Sequence, residues 1–159
     1  MDFDWFNSTH SVHSGGSFPK MRPSLFVTRR IGLMPVKPMK LLDSSVWIEH
    51  LTEGPRISAA TTLFDDPESI IVSVINIFEV CRYVRRTAGS DIEESVLAHL
   101  LTCAVRPLSV EITRMAVDLA AQYKLHMADS LIAATARVEN ADLLTLDSDL
   151  MDLPFALRP

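Results

Sequence analysis

The chain has 159 residues, a length that suits one domain, and 48% of them are hydrophobic, enough for a substantial core. Its formal net charge of −5 is uneven: residues 1–38 carry a formal +3, which leaves −8 on the remainder. That acidity excludes a general nucleic-acid coat protein, which needs a broad basic footprint, so any nucleic acid must be met by local basic residues or metal ions.

No apolar run approaches the roughly 20 residues needed to cross a bilayer. The early patch Ser24-Leu25-Phe26-Val27 is too short for the core of a signal peptide. No membrane partner is expected, and a cytoplasmic location is the expectation. Cys81 and Cys103 belong to no CxxC pair, which argues against a zinc site or a disulfide framework. Both read as small buried hydrophobes.

Residues 1–38 are rich in Ser, Gly, Pro and His and keep no period of 2 or 3.6. They read as a disordered extension or a mis-assigned start, with Met21, Met34 and Met39 as alternative beginnings. The folded domain is expected over 39–159. Lys40–Asp43 reads as a short buried strand, and Ser44–Leu51 as a helix opened by a Ser cap. Ile57–Phe64 reads as a second helical run, stopped by Asp65-Asp66-Pro67. Ser69–Val72 reads as a strand. Val74–Arg86 carries a helical stripe of Val74, Ile77, Phe78, Cys81 and Val84, and Gly89 ends it. Ile92–Ala104 reads as a helix, followed by a short strand around Arg106–Leu108. Helices are expected over Glu111–Tyr123 and Met127–Asn140, with strands at Asp142–Leu146 and Phe155–Leu157. This alternation implies an α/β fold in which helices cover both faces of a parallel sheet.

Ligands of such sheets bind beyond the carboxyl ends of the strands, which makes polar residues there worth tracing. Asp43 ends the first strand and Asp147 follows the strand containing Leu143-Leu144-Thr145. Asp129 falls in the first turn of a helix, and Glu79 on the helix after the second strand. Each alone also reads as ordinary structure: Asp43 as a helix cap, Asp129 as a partner of the helix dipole, Asp147 as a turn residue and Glu79 as a solvated helix position. Together they are harder to dismiss. Converging carboxylates repel, and a bound cation removes that cost. An all-oxygen set without His or Cys points to Mg²⁺ or Mn²⁺ rather than zinc. Such ions polarise a phosphoryl oxygen and activate water. Ser44 and Ser45 lack a His–Asp partner pattern for covalent catalysis, and a receiver-type phosphorylation of Asp43 lacks the needed late lysine, since none follows Lys124.

Leu41-Leu42-Asp43-Ser44-Ser45-Val46-Trp47-Ile48, Asn76-Ile77-Phe78-Glu79, His126-Met127-Ala128-Asp129-Ser130-Leu131-Ile132-Ala133-Ala134-Thr135-Ala136 and Leu143-Leu144-Thr145-Leu146-Asp147 resemble, in order, the motifs of PIN-domain ribonucleases. The resemblance is strongest to the toxin components of VapBC-type toxin–antitoxin pairs and covers about residues 39–157. It implies a three-layer α/β/α sandwich with a short parallel central sheet. It implies Mg²⁺- or Mn²⁺-dependent RNA cleavage with Asp43, Glu79, Asp129 and Asp147 at the metal site. It also implies homodimerisation and inhibition by a cognate antitoxin protein. Ser45 and Thr145 match polar positions that support the acidic pocket, and Asp149 offers a further carboxylate, ranked below Asp147. An RNA-processing nuclease outside a toxin–antitoxin pair and a non-catalytic PIN-like scaffold are the competing expectations.

Arg82 and Arg86 lie three and seven positions after Glu79, on one helix face that reads as a solvated face or a contact with an acidic partner segment before it reads as a carrier of substrate phosphates. Arg85 lies beside them. His126 reads as a cap or structural residue before it reads as an RNA contact, and Trp47 as a packing residue before a base-stacking one.

Overall fold

The computed structural model describes residues 38–57 and 61–159. The disordered extension expected over 1–38 therefore lies, apart from Pro38, outside the described residues. Five strands run β1 (Lys40–Leu42), β2 (Ile70–Ser73), β3 (Ala104–Arg106), β4 (Asp142–Leu144) and β5 (Ala156–Leu157). They pair in the order β3-β2-β1-β4-β5, and every pairing is parallel. Five helices connect them: α1 (Ser44–Leu51), α2 (Val74–Ala88), α3 (Ser90–Leu100), α4 (Val110–Tyr123) and α5 (Met127–Val138).

Successive strand residues point to opposite faces, and this alternation divides the core in two. Leu41, Ile71 and Leu143 meet Ile112, Leu119 and Ile132 of α4 and α5. Leu42, Val72 and Leu144 meet Trp47, Val80 and Leu100 of α1, α2 and α3. The result is the three-layer α/β/α sandwich expected from the sequence. Among the described residues, no helix is long and apolar enough to cross a membrane.

Chain order reverses at β1, which has β2 on one side and β4 on the other. This is the topological switch point where open parallel sheets hold ligands. The register of Leu42 against Leu144 places Asp43 and Thr145 side by side at that edge, and the Asp43 backbone N–H donates to Leu144 O at 2.9 Å.

The structure departs from the sequence expectations in four places. Ile57–Phe64 is not a helix where it is described. Leu63 and Phe64 form a turn closed by Asp65 N–H on Thr62 O at 3.3 Å, and just before it the Thr61 hydroxyl accepts from Leu63 N–H and so competes with helical pairing. The α3 helix stops at Leu100, because the Thr102 hydroxyl closes on His99 O at 2.7 Å, and β3 begins at Ala104, earlier than expected. The β4 ladder ends at Leu144, because side chains instead of strand partners take the N–H groups of Leu146 and Asp147. The buried face of α2 is Asn76, Val80, Cys81 and Val84, while Phe78 is 61% exposed and Val74 is also exposed.

Candidate active site

Four elements send carboxylates into one cleft of about 260 Å³, lined by Asp43, Glu79, Asp129 and Asp147 together with Arg82 and Tyr83. Arg86, Ser44, Ser45 and Ile48 complete the lining.

Asp43 follows β1 and is the N-cap of α1. It is only 4% exposed. Its Oδ2 accepts from Ser45 N–H at 3.2 Å and from the hydroxyls of Ser45 and Thr145 at 2.5 and 3.0 Å. No protein hydrogen bond reaches Oδ1 among the described residues, so one carboxylate oxygen caps the helix and the other remains for a ligand. The two hydroxyls also accept: Ser45 Oγ from Leu146 N–H at 3.0 Å, and Thr145 Oγ1 from Asp147 N–H at 2.9 Å. Asp43 and Asp147 are thereby held by one pair of side chains across two strands. Thr145→Val, which removes both bonds at a buried position, is expected to lower stability by about 1–2 kcal/mol, read as a lower urea midpoint at unchanged slope.

Glu79 is positioned by a second relay. Ser73 caps α2 in a capping box with Asn76. The Asn76 side-chain amide donates to Ser44 Oγ at 3.1 Å, and Ser44 Oγ donates to Glu79 Oε2 at 2.8 Å. Ser44 therefore serves a carboxylate and is not paired with a base.

Asp129 lies in the first turn of α5. Burial, then the negative charges of Asp43, Asp147 and Glu79, push its pKa up from 3.8 to about 6, with His126 pulling the other way. Its folded value lies above its unfolded value. Its contribution to stability is therefore present at pH below 3.8 and lost as pH rises through about 6. The Tm of the metal-free protein is expected to fall over that window. A cation needs the deprotonated carboxylate, so the Tm gain from added Mn²⁺ is expected to grow over the same window. Melting curves in a buffer series with and without Mn²⁺ check both signs.

The all-oxygen donor set and the mutual repulsion at Asp129 fit a divalent cation. Among the described residues, no three His, Cys, Asp or Glu groups close around one point as direct ligands.

The remaining site expectations divide. Asp149 is exposed and does not line the cleft; its backbone N–H donates to Asp147 Oδ1 at 2.8 Å, a turn contact. His126 stands at the N-cap of α5, but its exposed side chain makes no capping bond. Trp47 is fully buried and packs edge-on against Phe64, so it does not stack on a ligand. Arg85 is committed to Glu93. Sequence reasoning missed the positioning roles of Ser73, Ser44 and Asn76 and the place of Tyr83 in the cleft. The Ser73-x-x-Asn76 spacing was the available signal for the capping relay.

The PIN domain family matches residues 40–156. Ribonuclease VapC19 of Mycobacterium tuberculosis is 32% identical over 113 residues, covering 67% of this chain and 87% of that protein. A toxin–antitoxin complex from Klebsiella pneumoniae superposes with a TM-score of 0.64 at 27% identity, over 76% of this chain and 97% of that one. Mycobacterium tuberculosis VapC20, a sarcin–ricin loop cleaving toxin, has the same fold, with a TM-score of 0.61 at 19% identity over 75% of this chain and 98% of that one. The matched segment contains all four cleft carboxylates and all five helices, and the chain belongs to the PIN domain family.

Proposed function

We propose that this protein is a divalent-metal-dependent ribonuclease and the toxin of a toxin–antitoxin pair. The carrying observation is the convergence of Asp43, Glu79, Asp129 and Asp147 from four elements on one cleft at the sheet's switch point. The 32% identity to Ribonuclease VapC19 and the likeness to a toxin–antitoxin complex support the same reading.

When bound, Mg²⁺ or Mn²⁺ supplies Lewis-acid polarisation of the phosphoryl group and an activated water. Asp43, through Oδ1, and Asp129 are the proposed principal ligands, with Glu79 and Asp147 completing the acidic wall directly or through water. Ser45 and Thr145 hold the Asp43 carboxylate by its other oxygen. The Ser44–Asn76 relay fixes Glu79. Arg82 and Arg86, which form no ion pair among the described residues, bring RNA phosphates into a cleft that would otherwise repel them. A cognate antitoxin is the proposed protein partner and two copies of the chain the proposed assembly.

Add-back of Mg²⁺ or Mn²⁺ to EDTA-treated protein tests this on total RNA. Metal-restored cleavage is expected, together with growth arrest on expression that a co-expressed antitoxin relieves. Cleavage that persists in EDTA, or that no divalent ion restores, contradicts the proposal.

A further inference from the structure

Tyr83 lines the acidic cleft but has no part in the relays that hold its carboxylates. It lies four positions after Glu79 and three before Arg86, so the three share one face of α2. The Tyr83 ring is half-buried and packs against the core cluster that contains Val80 and Val84. The core therefore steadies a ring that borders the cleft. Over that ring lies the Arg86 guanidinium, 6.0 Å from its centroid, at the reach of a cation–π contact. Arg86 is exposed and lines the cleft, yet among the described residues it forms an ion pair with none of the cleft carboxylates. Its neighbour Arg85 is taken by Glu93.

We propose that Tyr83 is a positioning residue whose ring holds the Arg86 guanidinium beside the cleft, free of the carboxylates and ready for a substrate phosphate. The inference rests on the ribonuclease reading and adds to it the device that keeps a phosphate-binding arginine available within an acidic wall. Such a wall poses its own problem. An unrestrained arginine beside four carboxylates is drawn into an ion pair with one of them, and its paired N–H groups are then lost to phosphate. A long side chain also has many rotamers, and ordering it on binding costs affinity. A fixed aromatic face answers both difficulties. Its quadrupole attracts the guanidinium. It takes none of the five N–H donors, which lie in the guanidinium plane and stay open to phosphate. The ring also restricts Arg86 before substrate arrives, which lowers the ordering cost.

The test uses the full chain in Ca²⁺ buffer with a labelled RNA oligonucleotide, verified intact on a gel, titrated at several salt concentrations. Tyr83→Leu and Tyr83→Met remove the ring but keep an apolar side chain against the core, and melting curves verify that they fold. Each should weaken RNA binding about threefold, and Tyr83→Phe should bind like wild type. Arg86→Ala should weaken binding and reduce its salt slope by about one phosphate contact. In the Arg86→Ala background, Tyr83→Leu should cost nothing further, a coupling that a merely structural role would not produce. In RNA-free protein, the Arg86 Nε–Hε resonance should be displaced by the ring current in wild type and Tyr83→Phe, and should return to the position of a free arginine in Tyr83→Leu. Additive losses in the double variant, unchanged binding by Tyr83→Leu, or an undisplaced Arg86 resonance in wild type overturns the proposal. A loss in Tyr83→Phe equal to that in Tyr83→Leu also overturns it and assigns the contact to the hydroxyl. Metal-dependent cleavage by wild type is read separately. Cleavage without coupling removes the Tyr83 role and keeps the ribonuclease reading, and coupled RNA binding without cleavage does the reverse.

Discussion

Asp129→Asn is expected to abolish RNA cleavage while making the metal-free protein more stable. Both effects have one cause. The Asp129 carboxylate is half-buried, and the charges of Asp43, Asp147 and Glu79 surround it, which is why its pKa rises to about 6. Above that pH it is ionised against its surroundings. An amide of the same shape carries no charge to desolvate or repel. Because solvent screens part of the repulsion, the gain is discounted to about 1 kcal/mol, roughly 3–5 °C in Tm near neutral pH. The same substitution removes a metal ligand of the proposed site, and cleavage is expected to fall at least about 100-fold. Stability exchanged for function in this way is characteristic of strained sites. Differential scanning calorimetry in EDTA and a gel-based cleavage assay on the same preparation measure the two halves. A variant that melts earlier in EDTA, or that cleaves like wild type, removes Asp129 from its assigned role.

The second large effect is expected at Asn76, which touches no cleft surface. Asn76 is fully buried. Its Oδ1 accepts from the Ser73 backbone N–H at 3.1 Å and from the Ser73 hydroxyl at 2.7 Å. Its amide reaches Ser44, which holds Glu79. Asn76→Ala leaves two buried donors of Ser73 without their acceptor, and breaks the capping box of α2. A loss of about 3 kcal/mol is expected, from a cap and buried groups left unpaired. Activity is expected to fall about tenfold more than unfolding explains, because Glu79 loses its orienting partner. Ser44→Ala separates the two contributions. It cuts the link to Glu79 and leaves the Asn76 amide without its acceptor, but keeps the Ser73–Asn76 capping box, so it should reproduce most of the activity loss with a smaller stability cost. Chemical denaturation beside cleavage rates of the folded fraction gives the comparison. An Asn76→Ala protein with wild-type rates per folded molecule would mean that the relay does not position Glu79.

The sandwich was legible because its signals are local and agree with each other. The α1 helix begins at Ser44 and ends at Leu51 as the sequence indicates, but Asp43 caps it in place of the expected Ser, directly after a three-residue strand. The strand-end rule then located Asp43 and Asp147, and helix position located Asp129. Asp43 caps α1 through Oδ2 alone, so its capping role does not compete with the proposed ligand role of Oδ1. Other features were hidden for physical reasons. An apolar residue on a helix does not say which layer it faces. Phe78 belongs by period to the α2 stripe yet points outward, while Asn76 takes a buried place through hydrogen bonds that no hydropathy pattern carries. The run Ile57–Phe64 has helical composition, but the Thr61 hydroxyl turns its end. The relay from Ser73 to Glu79 joins two motifs through contacts distant in sequence, so neither motif alone shows it.

We propose that the four carboxylates share a divalent cation. Anomalous diffraction from crystals soaked in Mn²⁺, at the concentration that supports cleavage, tests it most directly. A manganese peak is expected inside the cleft walled by Asp43, Glu79, Asp129 and Asp147, and its loss is expected in Asp129→Asn. A cleft without manganese while the ion binds elsewhere on a cleaving enzyme would contradict it.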